Sequence, residues 1–242
     1  MRLDLALVER SLAPSRTRAQ ALVMEGKVRV AGQVEYKPSR QVDGEIEISV
    51  DSPQRFVSRG GEKLEGAFSL WPIEAEGRIC LDVGSSTGGF TDCLLQHGAQ
   101  KVMAVDVGTN QLAYKLRCDP RVWVRENYNA RYMDAADLPE VPSLAVTDVS
   151  FISLKLILPP IVRVLAPGGE IVALIKPQFE VGKGNAPGGL VRDDALRNAA
   201  RDEIVRFARE ELSLELLGLD VSPILGKEMG NIEYLSYWRK PQ

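Results

Sequence analysis

"LDVGSSTGGFTDCLL", Leu81 to Leu95, carries the punctuation on which the fold turns. Apolar residues run into Asp82 and Gly84, as at the tail of a strand, and Gly88, Gly89 and Phe90 then open a helical pattern. Glycines at such a junction let the backbone approach a ligand closely and let a helix pack on its strand. The same rhythm continues through "KVMAVDVG", "RVWVREN", "SLAVTDVSF" and "EIVALIKP", short apolar runs separated by helical candidates. A charged helix from about Asp193 to Glu210 follows, then strands near "LELLGLDVSP" and "IEYLSYWRK". This alternation predicts an α/β domain with a mostly parallel sheet and helices on both faces.

The turn is not GxGxxG, and no P-loop Lys-Ser/Thr pair waits for a phosphate. Asp106 ends the second strand, eighteen residues after Gly88, where a carboxylate commonly takes a ribose diol. A carboxylate-lined, phosphate-poor pocket suits a cationic, ribose-bearing cofactor such as S-adenosylmethionine better than a dinucleotide. Ordinary strand–turn–helix glycines are the alternative. The expected cofactor contacts are Asp82, Gly84, Ser86, Thr87, Gly88, Gly89 and Phe90 along the turn, with Asp106, Val107, Asn129 and Asp148 beyond later strand tails.

At 242 residues, 45% hydrophobic and 26% charged, the chain is long enough for one medium domain plus a small one. Its start carries Asp4, Glu9 and Arg10, unlike a signal peptide, and no run of eighteen apolar residues occurs. A soluble, cytoplasmic protein without a membrane span is expected. Cys80, Cys93 and Cys118 show no CxxC pair and read as reduced thiols, and the only histidine, His97 before Gly98, reads as a helix C-cap. No metal site is expected. Net charge is −3, yet residues 1–60 hold ten Lys/Arg against eight Asp/Glu.

Those first residues read as a unit of their own. Leu3, Leu5, Leu7, Val8 and Leu12 suggest an amphipathic helix ending near Ala13-Pro14. Ser15 is placed to cap a second helix whose buried face is Ala19, Leu22 and Val23, with Gly26 as its stop. Short strands, "KVRVAGQVEYKP" turning at Gly32 and then "GEIEISV", complete it. Arg16, Arg18, Lys27, Arg29 and Lys37, joined by Arg59 at the junction, form a candidate phosphate-facing set. The stretch "RLDLALVERSLAPSRTRAQALVMEGKVRVAGQV" resembles the small RNA-binding domain named after ribosomal small-subunit protein S-four. The expected division is residues 1–53 for this α+β domain, 54–58 for a linker and 59–242 for the catalytic domain.

Charged residues at strand tails carry the chemistry. Asp148 follows the fourth apolar run and Lys176 the fifth, and ligands of open parallel sheets bind beyond such carboxyl ends. Glu233 sits on a late strand and Lys63 on the helix leading into the domain. Each alone reads as a surface ion pair. Together with "VSRGGEKL", "AVDVG", "TDVSFISL", "IKPQFEVGKG" and "GNIEYL", they resemble the Lys-Asp-Lys-Glu tetrad of the FtsJ-type RNA 2′-O-methyltransferases, and within that group the TlyA family. The resemblance implies a Rossmann-like methyltransferase domain, a catalytic tetrad of Lys63, Asp148, Lys176 and Glu233, and methylation of cytidine 2′-hydroxyls in ribosomal RNA. On the cation at position 176 the residues leave two roles open, a base or an electrostatic stabiliser.

Two departures from the family's pattern stand out. The linker reads "QRFV", Gln54 to Val57, where the family often has Arg-Ala-Trp-Val, and the chain is short at both ends. Family members acting on both ribosomal subunits are longer, so modification of large-subunit RNA is the expectation. The glycine-rich "QFEVGKGNAPGG" after Pro177 is expected to be a mobile loop. Monomer and homodimer are both open. The rival readings are a non-catalytic RNA-binding assembly factor and, in a different class, a membrane-active hemolysin; a dehydrogenase is disfavoured by the glycine spacing.

Overall fold

The computed structural model of the chain describes residues 1–51, 55–182, 184–226 and 230–242, which divide into two compact units, Met1–Gln54 and Arg55–Gln242. In the first unit α1 (Leu3–Glu9) and α2 (Arg16–Met24) accompany an antiparallel sheet of β1 (Val28–Val30), β2 (Gln33–Glu35) and β3 (Ile48–Val50) in the order β2-β1-β3. The Ser15 hydroxyl accepts the Arg18 N–H at the start of α2, as the sequence predicts. Leu3, Leu7, Val23 and Val28 are wholly buried and form its core. The first helix is shorter than its apolar residues suggest. It stops at Glu9, Leu5 and Val8 face solvent, and the inward stripe is Leu3, Ala6 and Leu7. Asp4 is buried beneath Arg2 and Arg16 and accepts hydrogen bonds from both and from Gln20, so one carboxylate ties α1 to α2.

The second unit is built on a seven-stranded sheet in the order β6-β5-β4-β7-β8-β10-β9. β4 (Ile79–Val83), β5 (Lys101–Val105), β6 (Val122–Arg125), β7 (Leu144–Thr147) and β8 (Glu170–Ile175) are parallel. β10 (Tyr234–Arg239) runs antiparallel to β8 and to β9 (Glu215–Val221). The chain winds outward from β4 through β5 to β6, then returns to β7 on β4's other side, so the strand order reverses between β4 and β7. Such a reversal opens a crevice at the carboxyl ends of the strands.

Strand alternation divides the core between the two faces. Cys80, Val102, Val146 and Val172 pack with α3 (Gly60–Leu70), α4 (Gly89–Gln96) and α5 (Tyr114–Arg117). Leu81, Met103, Ala145 and Ile171 pack with α6 (Leu158–Val164) and α8 (Asp194–Glu210). Asp193 caps α8, accepting the N–H groups of Ala195 and Leu196. The expected loop after Lys176 begins instead as a short helix, α7 (Pro177–Glu180), because Pro177 suits a first helical position and Glu180 reaches back to Ser153 and the Leu154 N–H. Lys183 within that stretch and Gln54 of the expected linker lie outside the described residues. Phe56, from the same linker reading, is buried in the core of the second unit.

At the glycine turn the backbones at the starts of α3 and α4 approach closely. Gly88 holds φ +95°, a left-handed conformation that costs an L side chain, and starts α4. A Cβ on Gly89 would fall 2.7 Å from the backbone nitrogen of Gly61, a contact no side-chain rotation relieves. Gly89→Ala is therefore expected to force α3 away from α4 and lower stability by about 1–3 kcal/mol. Chemical denaturation of the full chain measures it.

Candidate active site

Four charged side chains converge at the carboxyl edge of the sheet. Asp148 follows β7 and Lys176 follows β8, its parallel neighbour. β10 runs the other way, so its first residue, Tyr234, lies opposite Ile175, the last of β8. Glu233, just before β10 rather than on it, is thereby delivered to the same edge. Lys63 comes from the buried face of α3, with Leu64 and Ala67.

These groups alternate in sign. Lys176 Nζ lies 2.6 Å from Asp148 Oδ1, Lys63 Nζ lies 3.5 Å from Asp148 Oδ2 and 2.7 Å from Glu233 Oε2. Lys176 and Lys63 are only 7% and 8% exposed and Glu233 3%, so each charge depends on its neighbours for the solvation it has lost. The Lys176 ammonium donates to Ser150 Oγ at 2.8 Å, while Asp148 Oδ1 faces it without an aligned hydrogen bond. Gln178 Nε2 donates to the second Glu233 oxygen at 3.4 Å. Ser150 and Gln178 lie inside the sequence's own "TDVSF" and "KPQF" motifs, but nothing in their residue type distinguishes them there.

The expected cofactor residues are spread along the adjoining crevice. Gly84 follows β4 and adopts φ +81° against Val149, while Ser86 and Thr87 are exposed at the bend. Asp106 draws the turn in, accepting the Ser86 N–H at 2.8 Å and the Gly108 N–H at 2.7 Å. Val107 stands exposed beside it, and exposed Asn129 accepts the Arg131 N–H. Phe90 is buried among core residues and faces no solvent. Glu126, which the sequence did not single out, accepts the N–H groups of Asn110, Gln111 and Leu112 and pairs with Arg117. Burial pushes its carboxyl up, but those donors outweigh it and hold it at about 2. It thereby fixes the loop that follows Asp106.

Asp82 is 1% exposed. Alternation turns it with Cys80 toward α4, where Oδ2 accepts the Thr91 hydroxyl at 2.6 Å and Oδ1 has no hydrogen-bond partner among the described residues. Asp82, an expected cofactor contact, is thus buried behind the turn. Burial raises its pKa to about 7; the Thr91 hydrogen bonds oppose this, and the charges of Asp148 and Asp106 add to it.

The phosphate-facing set does not share one unit, since Arg59 belongs to the second. In the first, Arg16 pairs with Asp4, Arg18 and Lys27 with Glu25, and Arg29 with Asp51; Lys37 is exposed. Arg59 donates to the Leu225 carbonyl. His97 does end α4, but its side chain caps nothing there: it stacks on Phe68 and meets Glu65.

The Asp82 environment has a consequence for stability. The folded carboxyl keeps its proton up to a pH of about 7, whereas an unfolded chain releases it near ~4. The fold thus binds the extra proton between these values, and stability falls as pH rises across that window. Asp82→Asn is expected to flatten this fall, read as the difference between variant and parent urea midpoints from about pH 4 to 8.

Known proteins resemble the chain in both of its units. The FtsJ-like methyltransferase family matches residues 56–240 and the S4 domain matches residues 1–48. The chain is 45% identical over 241 residues to the 16S/23S rRNA (cytidine-2'-O)-methyltransferase TlyA of Mycobacterium tuberculosis, covering 98% of this chain and 89% of that one. It is 44% identical to Hemolysin A of Brachyspira hyodysenteriae, covering 98% and 99%. A solved structure from Streptococcus thermophilus, described as a hemolysin, superposes with a TM-score of 0.78 at 43% identity over all of this chain and 89% of that one. No helix among the described residues is long and apolar enough to cross a membrane. With an N-terminal S4 domain and a Rossmann-like sheet carrying the four-charge cluster, the chain belongs to the FtsJ-like methyltransferase family, in its TlyA group.

Proposed function

We propose that the protein transfers a methyl group from S-adenosylmethionine to the ribose 2′-hydroxyl of cytidine in ribosomal RNA, acting in the cytoplasm. The observation that carries this reading is the alternating Lys176–Asp148–Lys63–Glu233 network beside the glycine turn. The name and 45% identity of the mycobacterial relative support the choice of substrate.

The crevice fits the cofactor chemically. Asp82, Asp106 and Asp148 cluster near the turn, and Asp82 retains a buried oxygen without a hydrogen-bond partner among the described residues. Asp106 would take the ribose diol, and the turn from Gly84 to Gly89 the amino-acid end, with Val107 and Asn129 along the rim. When bound, the cofactor supplies a methyl group already activated by its sulfonium.

The protein's own residues then position the acceptor oxygen and bear its charge. Lys176, at the mouth of the crevice, stabilises the 2′-oxygen as its proton leaves. Asp148 orients that ammonium from one side and Ser150 from another. Lys63 and Glu233 complete the alternation, keeping Asp148 from being an isolated buried charge. Residues 1–53, with Arg16, Arg18, Lys27, Arg29 and Lys37, bind RNA phosphates, residues 54–58 connect the parts, and residues 59–242 hold Arg59 and the chemistry.

Lys176→Ala is expected to lower the methylation rate about 10²–10³-fold while changing cofactor affinity little. Mass-spectrometric mapping of ribosomal RNA after incubation with enzyme and cofactor, with cofactor binding read calorimetrically, tests both halves. Methyl groups on base atoms, or near-parental turnover by the variant, would refute the reading; rates on each isolated subunit identify the preferred one. For the RNA contacts, neutralising Arg18 or Lys37 should weaken binding to all sequences alike and shrink the log–log salt slope by about 1.

A further inference from the structure

In the second unit α3, α4 and the C-cap of α4 bring together three metal-ligating side chains that the sequence did not group. Cys93 on α4 and His97 at its C-cap are four residues apart, and so lie on one side of that helix. Glu65 faces them from α3. His97 Nε2 lies 2.7 Å and Cys93 Sγ 3.7 Å from the same oxygen, Glu65 Oε2. All three ligand atoms lie within 4.8 Å of one another.

We propose that Glu65, Cys93 and His97 bind one thiophilic divalent cation of the Zn²⁺ class, with water completing a tetrahedral shell. Thiolate, imidazole and carboxylate together favour Zn²⁺ over Mg²⁺ or Ca²⁺, which take oxygen ligands. Ligands about 2.0–2.3 Å from a tetrahedral zinc stand roughly 3.3–3.6 Å apart. The sulfur–oxygen separation of 3.7 Å lies close to this range, the nitrogen–oxygen pair opens by about 0.6 Å, and sulfur and nitrogen, within 4.8 Å of each other, draw together. The surroundings are those of a supported site. Arg55 holds the other carboxylate oxygen, Glu65 Oε1, at 2.7 Å, leaving Oε2 directed at His97 and Cys93. Phe68 stacks on the imidazole at 3.9 Å with the rings nearly parallel, fixing its plane. Outer partners of this kind orient ligands. Glu65 and His97 are 26% and 30% exposed, which gives a cation and its water a path in, while Cys93 closes the inner side. On binding, the thiol proton passes to solvent.

Such a cation would pin α3 to α4. α3 carries Lys63, two residues before Glu65, and α4 begins at the glycine turn. The site would thus brace both halves of the crevice without touching either.

The test uses the full chain, stripped with chelator, in a Cys118→Ser background that removes the exposed thiol. Zn²⁺ is titrated by equilibrium dialysis and Co²⁺ by absorbance. One equivalent of each is expected, with a thiolate-to-cobalt charge-transfer band and a Zn²⁺-dependent rise in the unfolding midpoint. His97→Gln, a partly exposed change that leaves the core intact, should weaken Zn²⁺ binding at least about tenfold and remove the rise. Cys93→Ala should abolish the band. Failure of Zn²⁺ to bind, equal affinity in His97→Gln, or a cobalt spectrum without the thiolate band overturns the proposal. None of these readouts depends on methyl transfer.

Discussion

Two lysines, Lys63 and Lys176, are buried at the edge of an apolar sheet, and the architecture of the second unit is arranged around neutralising them. Burying an ammonium without a partner costs several kcal/mol even after relaxation. Here each meets a carboxylate at 2.6–2.7 Å, and Asp148 stands between the two cations. The arrangement is possible because the last strand is antiparallel. A seventh parallel strand would have sent Glu233 to the far edge of the sheet; β10, paired in reverse with β8, starts where β8 ends. Its indole-bearing residue Trp238, wholly buried, anchors that reversal in the core.

The same edge holds a crevice with a different electrostatic character. Asp82 and Asp106 sit close to Asp148, and their mutual repulsion helps keep Asp82 protonated to about pH 7. A cationic ligand relieves such a cluster, whereas a phosphate would aggravate it. Backbone amides do much of the remaining work. Asp106 gathers the Ser86 and Gly108 N–H groups, and Glu126 gathers three more from the following loop. These N–H groups are thereby already taken by carboxylates of the chain itself.

Much of this was legible in the chain. The five parallel strands followed from apolar runs of strand length, Ser15 announced its helix as a capping residue, the charged run from about Asp193 announced another, and Asp148 and Lys176 stood at strand tails. Other features were not legible, for identifiable reasons. α1 was read too long because Leu5 and Val8 are apolar yet exposed, and apolar character alone does not say which residues face inward. The burial of Asp82 was not legible because it depends on the α4 helix, whose Thr91 hydroxyl donates to it. The segment after Lys176 looked like a loop from its glycines, but Glu180's bonds to Ser153 and Leu154 shape its start. His97 is the C-cap of α4 as read, but its side-chain partners, Phe68 and Glu65, were not legible because they lie some thirty residues away in the chain.

By itself the sequence determined what is local or periodic: strand and helix identity, the glycine turn, and which ionisable residues end apolar strands. Hydrophobic period and backbone sterics act over a few residues, so they leave their trace in a short window. Tertiary structure decided what depends on strand order and direction. Only the reversal between β4 and β7 put Asp148 beside the glycine turn, and only the antiparallel run of β10 brought Glu233 within 2.7 Å of Lys63, across 170 residues. Charge pairing acts through space over a few ångströms, and no pattern along the chain records which distant residues will share them.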